Sequence, residues 1–519
     1  MIQMNIFNNE TAKELKRIIT SAADNTAIRA GVLSTRDRDH AMHVIREVAT
    51  SMKKDLYHYT IAGRKKWDSG KFAFETCGGG TPDPAELLKS VQTIKGGAVV
   101  IIEDVLSTLN DNNGDKNARQ QLYGMLSVEK RSDGTVLIFL EPPEAETHIP
   151  SMLGGSLFNL SIPMPKREEL NDIALRELTV VMTAMEKTNN ELAQRWSRVF
   201  ATELTGLTRT AATNAIRDAL ALKRSDFEGA RTYLASRKKR QLSHELSMEV
   251  LDDTGELPQG LEYLYRYLEL NRQRISTTGK NRAKGILLVG QPGTGKTMLA
   301  KAAGRLLGLP VVEFRISSLM NSLLGATERR FDQAFQVLEA MAPNIVFIDE
   351  IEKAFGDNGS ENDGGTMMRT TGRLLTWLSE NPHPNFIIAT SNNVARMGEI
   401  GLTMTRSGRF DKIFFVDTPS RAARQQMLDS WLKGKVKNVA DVATTVAEAT
   451  PLFTGADLQS IVNEATVESA YQKQELTQDV LIQEAQKKKL RVQALYENFA
   501  GLRRFAELYC ERAGASENN

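Results

Sequence analysis

Gly285-Ile286-Leu287-Leu288-Val289-Gly290-Gln291-Pro292-Gly293-Thr294-Gly295-Lys296-Thr297-Met298 is a short apolar run, a glycine-rich turn and the start of an amphipathic helix, in that order. The residues Gly290 to Thr297 fit G-x-x-x-x-G-K-[ST], between the flanking strand and helix that this phosphate-binding pattern requires. Glycines at Gly290, Gly293 and Gly295 let backbone N–H groups converge on phosphate oxygens, and the N-terminus of the following helix adds positive potential. Lys296 is expected to reach the β- and γ-phosphates of a nucleoside triphosphate, and the Thr297 hydroxyl to ligate Mg²⁺. Gln291, Pro292, Thr294 and Met298 complete the expected binding segment.

About fifty residues further on, Ile345-Val346-Phe347-Ile348-Asp349-Glu350 reads as a buried strand that ends in two carboxylates. Adjacent acids at a strand end are usually only a solvated end. Behind a phosphate loop they fit another task, with Asp349 holding the magnesium and Glu350 polarising the attacking water. Phosphoryl transfer asks for positioning and charge neutralisation rather than covalent chemistry, and these groups supply both.

The remaining composition narrows the class. A chain of 519 residues calls for two or three domains, and 41 % apolar with 25 % charged residues is globular. Lys and Arg number 66 against 64 Asp and Glu, a net charge of +2 that gives no global reason to expect nucleic acid or an anionic membrane. The two cysteines, Cys77 and Cys510, exclude a disulfide framework and a cysteine-based zinc site. The six histidines show no metal-ligand spacing. No run is long enough to span a bilayer and no secretory signal is visible, so a soluble protein of a reducing compartment is expected. The basic runs Arg237-Lys238-Lys239-Arg240 and Lys487-Lys488-Lys489 lack interleaved aromatics and read as solvated helix faces or interdomain contacts.

Strands are predicted at Ile28–Leu33, Leu56–Tyr59, Ala98–Ile102, Thr135–Leu140 and Phe158–Ile162, with Cys77-Gly78-Gly79-Gly80-Thr81-Pro82 as a loop. From Lys166 to about Val250 the pattern is helical throughout. A second set of strands follows at Gly285–Val289, Val311–Phe314, Ile345–Ile348, Phe386–Ala389 and Lys412–Val416, with helices from Arg421 to about Gly514. Three stretches recur in order. Gly97–Val105 parallels Pro343–Ile351, Leu157–Pro165 parallels Arg409–Pro419, and Leu204-Thr205-Gly206-Leu207 echoes Phe453-Thr454-Gly455-Ala456. Together they point to a duplicated architecture.

From about Leu257 to Ala470 the chain resembles an AAA+ ATPase of the AAA branch, which includes the FtsH, Cdc48 and katanin-type modules. The resemblance makes Asn392, in Ile387-Ile388-Ala389-Thr390-Ser391-Asn392-Asn393, the sensor that orients the lytic water. Arg406-Ser407-Gly408-Arg409-Phe410-Asp411 resembles the R-x-G-R-F-D motif, whose arginines Arg406 and Arg409 would act on a neighbouring subunit's nucleotide. Thr454-Gly455-Ala456-Asp457 resembles the start of the lid helix, placing Gly455 and Ala456 near the adenine. Leu323-Leu324-Gly325 stands where members carry an aromatic-hydrophobic-glycine pore loop, and the leucines read either as a weaker grip on a threaded chain or as packing. The whole layout is most similar to the Ycf-type AAA ATPases of cyanobacteria and plastids, closely from about Ser243 onward and diffusely before it.

The first half keeps the strand pattern without the chemistry. Its first strand leads into Ser34-Thr35-Arg36-Asp37-Arg38-Asp39-His40, with no glycine loop, and its acid pair Glu103-Asp104 reverses the order of Asp349-Glu350. The expected architecture is α/β: a degenerate P-loop-like parallel-sheet domain over residues 1–165, and a helical lid-like region with linker over 166–250. An active AAA+ α/β domain would then cover 251–420, and a helical lid with a C-terminal helix 421–519. ATP and Mg²⁺ are the implied cofactors. The implied partners are further copies of the chain, in an ATP-dependent ring that the resemblance makes a hexamer, and a protein substrate. Neither nucleic acid nor a membrane span is expected. The expected location is the cytoplasm, or the stroma for a plastid-encoded chain.

Overall fold

The computed structural model describes residues 10–23, 30–81, 83–94, 97–109, 114–126, 134–142, 153, 156–184, 190–251, 257–279, 281–320, 326–355, 364–393 and 409–515. Two compact units divide the chain, Met1–Lys238 and Lys239–Asn519.

In the first unit, β1 (Ala30–Ser34), β2 (Leu56–Thr60), β3 (Gly63–Asp68), β4 (Ala73–Gly79), β5 (Val99–Glu103), β6 (Val136–Glu141) and β7 (Phe158–Leu160) form one sheet. Its order is β4-β3-β2-β5-β6-β1-β7. The strands from β2 to β7 in that order are parallel, whereas β3 and β4 pair antiparallel. Apolar residues fill both sides of the parallel strands, the mark of a sheet covered on each face. Leu15, Ile18 and Ile19 of the helix Glu10–Ala23 join Val44, Ile45 and Val48 of the helix Arg38–Ser51 over one face. Leu87 and Leu88 with Leu122 cover the other. Four helices, Arg167–Ala184, Asn190–Leu204, Arg209–Lys223 and Phe227–Leu246, follow with a core of their own.

The second unit repeats this plan. Its strands are β8 (Met248–Leu251), β9 (Gly285–Val289), β10 (Val311–Phe314), β11 (Asn344–Ile348), β12 (Asn385–Ser391), β13 (Lys412–Phe415) and β14 (Glu511–Arg512). They lie in the order β14-β13-β9-β12-β11-β10-β8. The central five, β13-β9-β12-β11-β10, are parallel and run fifth-first-fourth-third-second in chain order, as β7-β1-β6-β5-β2 do in the first unit. Leu299, Ala300 and Ala303 of the helix Lys296–Leu307 pack with Leu264 and Leu268 on one face. On the other, Phe335 stacks on Trp377 with ring centroids 4.7 Å apart. The helices Arg421–Leu432, Val439–Ala449, Gly455–Tyr471 and Gln478–Asn498 form a separate bundle. Among the described residues no helix is long and apolar enough to cross a membrane.

The α/β reading and the duplication stand, with three corrections. Cys77, Gly78 and Gly79 belong to β4 rather than to a loop, because the glycines lie on an edge strand, opposite Gly63 and Arg64, where no side chain has to be packed. The helical stretch ends in a strand, β8, whose Met248–Leu251 pairs antiparallel with β10. The third match is out of register by three residues: the helix after Leu204–Leu207 is capped by Thr208, its hydroxyl accepting the Ala211 N–H at 3.3 Å, as Thr454 caps the helix Gly455–Tyr471. In the basic runs most side chains are exposed or half-exposed, and several are held by neighbours. Lys238 is 8 % exposed, with its ammonium on the Thr205 hydroxyl at 3.2 Å, and Lys488 is paired with Glu464 at 2.5 Å.

Buried ionisable groups leave a pH signature in the first unit. His40 has its Nε2 buried without a hydrogen-bond partner among the described residues. Burial, then Arg209, lowers its pKa to about 4, with His43 acting in the same direction and Asp37 against it. The unfolded chain therefore binds the extra proton first. Stability is full above about pH 6.5 and falls as the pH drops toward 4, by up to roughly 1.4 kcal/mol per pH unit. Thermal unfolding at pH 7 and pH 5 should show a smaller acid loss for His40→Gln than for the parent. Equal losses would assign the titration elsewhere.

Candidate functional site

In a parallel sheet the carboxyl ends of the strands share one edge, and the crevice opens where the strand order reverses. Here that place is the end of β9, flanked by β12 and β13. The register sets Val289 beside Ser391 and Ile348 beside Ala389, so Gly290, Asp349 and Asn392 emerge at the same edge.

The loop Gly290–Gly295 takes its shape from its glycines. Gly293 and Gly295 have φ of +84° and +90°, which side-chain-bearing residues rarely adopt. A Cβ on Gly293 would also stand 2.9 Å from the Thr454 hydroxyl. Lys296, the first helical residue, is 7 % exposed and donates to the carbonyls of Gly290 and Gln291 at 2.8 Å each. Burial pushes its ammonium down to about 8, against the opposing pull of Asp349, Glu352 and Glu350.

The acids are held from the neighbouring strand. The Thr390 hydroxyl donates to Asp349 Oδ1 at 2.5 Å and accepts the Glu350 N–H at 2.9 Å. Glu350 itself has φ of +48°, a local strain that sets the side chain apart from the strand direction. Asn392 Nδ2 lies 3.3 Å from Glu350 Oε1, and Lys353 pairs with Oε2. The lid helix begins against the loop, the Ala456 N–H donating to the Gly293 carbonyl at 3.2 Å, and Thr454 with Asp457 closes a capping box there.

These groups enclose a cavity of about 500 Å³, a size suited to a nucleotide. Its walls include Pro292, Gly293, Thr294, Gly295, Lys296, Thr297, Met298, Asp349, Glu350, Asn392, Gly455 and Ala456. The loop amides, Lys296 and the helix N-terminus could hold phosphates, and Thr297 with Asp349 offers the oxygen donors that Mg²⁺ prefers. Arg409 does not line it, whereas Arg406 and Leu323, Leu324 and Gly325 fall outside the described residues. The walls also contain residues that the sequence reading did not assign: Leu257, Pro258 and Gln259 ahead of the sheet, and Met427, Ser430, Trp431 and Gln459 from the lid. Met427 and Trp431, four apart on one helix, carried a periodic signal, but it was indistinguishable from ordinary core.

At the corresponding edge of the first unit, the protein's own side chains pair with one another. Three residues, Thr35 to Asp37, connect β1 to its helix, where six connect β9 to Lys296. Arg38 is the first helical residue, as Lys296 is, and grips Asp104 through two hydrogen bonds of 2.9 and 2.5 Å. Asp104 has φ of +55°, the same left-handed turn as Glu350. Asp37, 3 % exposed, accepts the N–H groups of Arg209 and Thr210 at 3.0 and 3.2 Å and the Thr210 hydroxyl at 2.6 Å.

A five-stranded parallel core in this order, a phosphate loop after its first strand and acids after its third define a P-loop nucleotide-binding protein with a helical lid. The model for the ATPase family associated with various cellular activities (AAA) matches residues 286–418. The AAA domain-containing protein ycf46 of Gracilaria tenuistipitata var. liui is 30 % identical over 373 residues, 68 % of this chain and 71 % of that one. This chain belongs to the AAA family. The ycf46 protein of Trieres chinensis is 25 % identical over 467 residues, 86 % of this chain and 88 % of that one, a span that neither unit could contain alone. The ATP-dependent zinc metalloprotease FtsH 3 of Synechocystis is 36 % identical over 204 residues, 38 % of this chain and 33 % of that protein.

Proposed function

We propose that the protein hydrolyses ATP at composite sites between copies of itself, arranged in a ring, and uses the cycle to remodel or translocate a protein partner. The observation that carries this reading is the cavity at the end of β9, where phosphate loop, acid pair, Asn392 and lid helix converge and, among the described residues, no arginine lines the wall. In it, Lys296 and the loop amides bind the β- and γ-phosphates, and Thr297 and Asp349 hold Mg²⁺. Glu350 takes the proton of the attacking water, and Asn392 orients that water. Arg406 and Arg409 of a neighbouring copy supply the missing positive charge. A hexamer acting in the cytoplasm, or in the stroma, completes the proposal.

Hydrolysis per chain should therefore rise with protein concentration as sites become complete. Turnover independent of concentration down to a monomeric sample would defeat the composite site. Lys296→Ala is expected to weaken ATP binding by roughly 30- to 200-fold, about 2–3 kcal/mol for a buried charge-assisted contact. Unchanged affinity by titration calorimetry would refute the loop assignment. Leu323 and Leu324, lacking aromatic rings, favour a second reading, an ATP-controlled assembly switch that docks a partner through the first unit and turns over slowly.

A further inference from the structure

A third carboxylate follows the acid pair. Glu352 sits on the short turn Ile351–Phe355 after β11 and is 5 % exposed. A buried carboxylate is costly unless its charge is met by hydrogen bonds. Its Oε1 accepts the backbone N–H of Asn392 at 3.0 Å, at the first residue beyond β12. Its Oε2 is buried and takes no hydrogen bond from any described residue. The Asn392 side chain then reaches Glu350. One short chain of contacts thus runs from Glu352 through the Asn392 backbone and amide to Glu350.

The first unit ties the same two segments in the opposite sense. With Glu103-Asp104 in the place of Asp349-Glu350, Leu106 occupies the position of Glu352. There the carboxylate comes from the other strand, Glu141 at the end of β6 accepting the Leu106 N–H at 2.8 Å. Both units therefore fasten the third strand's turn to the fourth strand's end by a carboxylate on an amide. Only the second unit spends that bond on the residue whose side chain faces the acid pair.

We propose that Glu352 is a positioning residue for hydrolysis, fixing the Asn392 backbone so that its side-chain amide meets Glu350. This rests on the ATPase reading above. The test compares the full-length parent with E352L, E352D and E352Q for kcat, KM for ATP·Mg²⁺ and equilibrium ADP affinity. Leu abolishes the acceptor and Asp is too short to reach, so both should lower kcat roughly 10- to 100-fold, with KM and ADP affinity within about threefold. Gln keeps a carbonyl on the Asn392 N–H and should stay within about threefold of the parent. Unchanged kcat in E352L, or in E352D should the Leu variant fail to fold, overturns the proposal. So does an equal fall of kcat and ADP affinity in all three variants, which marks general disruption. A parent that binds ADP yet never hydrolyses ATP sinks the ATPase reading itself, and Glu352 with it.

Discussion

Replacing Arg406 and Arg409 together by Ala is expected to leave ATP binding intact and to lower hydrolysis by about 10³-fold or more. The geometry around Arg409 is in keeping with action on another copy. β13 runs parallel to β9, with Lys412 opposite Ile286. Asp411 is fastened to the base of β9, its carboxylate accepting the N–H groups of Lys284 and Gly285 at 2.6 and 2.9 Å. Arg409 therefore lies at the amino end of the sheet. The phosphate loop stands at the carboxyl end, roughly 15 Å away at about 3.3 Å per residue. An arginine there cannot serve its own loop without a rearrangement of the sheet. Mixing provides the sharper measurement. Lys296→Ala subunits keep their arginines and the arginine variant keeps its loop, so together they should recover turnover that neither shows alone. Failure of the mixture, or full activity of the arginine variant, would end the composite-site reading.

Glu350→Gln should lower turnover by about 10²- to 10⁴-fold while ATP still binds. The amide retains the shape of the side chain and its place beside Asn392, but it no longer accepts the water's proton. Because such a chain would hold ATP unhydrolysed, its solution mass with and without ATP·Mg²⁺ reports on assembly directly. A closed ring on adding ATP is the expected result. A monomer in both conditions would move the weight to the switch reading, with a different protein supplying the neighbour.

What could be read from the residues, and what could not, follows from how local each constraint is. The turn Gly290–Gly295 was legible because its positive-φ glycines and the Lys-Thr that follow are dictated by the loop itself. Asp349 and Glu350 were legible as polar residues ending an apolar strand. The duplication showed faintly in three short matches and becomes plain only when strand orders are compared. Edge strand β4 was hidden because glycines that would break a central strand are tolerated at a border. Thr390, Glu352, Met427 and Trp431 were hidden for another reason. Each looks like core or surface until strands and lid are brought together, and their partners are distant in sequence, 41 residues in the case of Thr390 and Asp349.

The buried Asp37 and the Arg38–Asp104 pair at the edge of the first unit bear on how the chain responds to its surroundings. In the second unit, the tie between the phosphate loop and the helix Gly455–Tyr471 borders the cavity, so under the proposed function its geometry would follow the ratio of ATP to ADP. In the first, Asp37 joins sheet to lid and Arg38 satisfies Asp104 with groups present at fixed stoichiometry in every molecule. Under the proposed function that half is wired like a reference electrode: its setting is encoded by inheritance, whereas the other half would read the fuel.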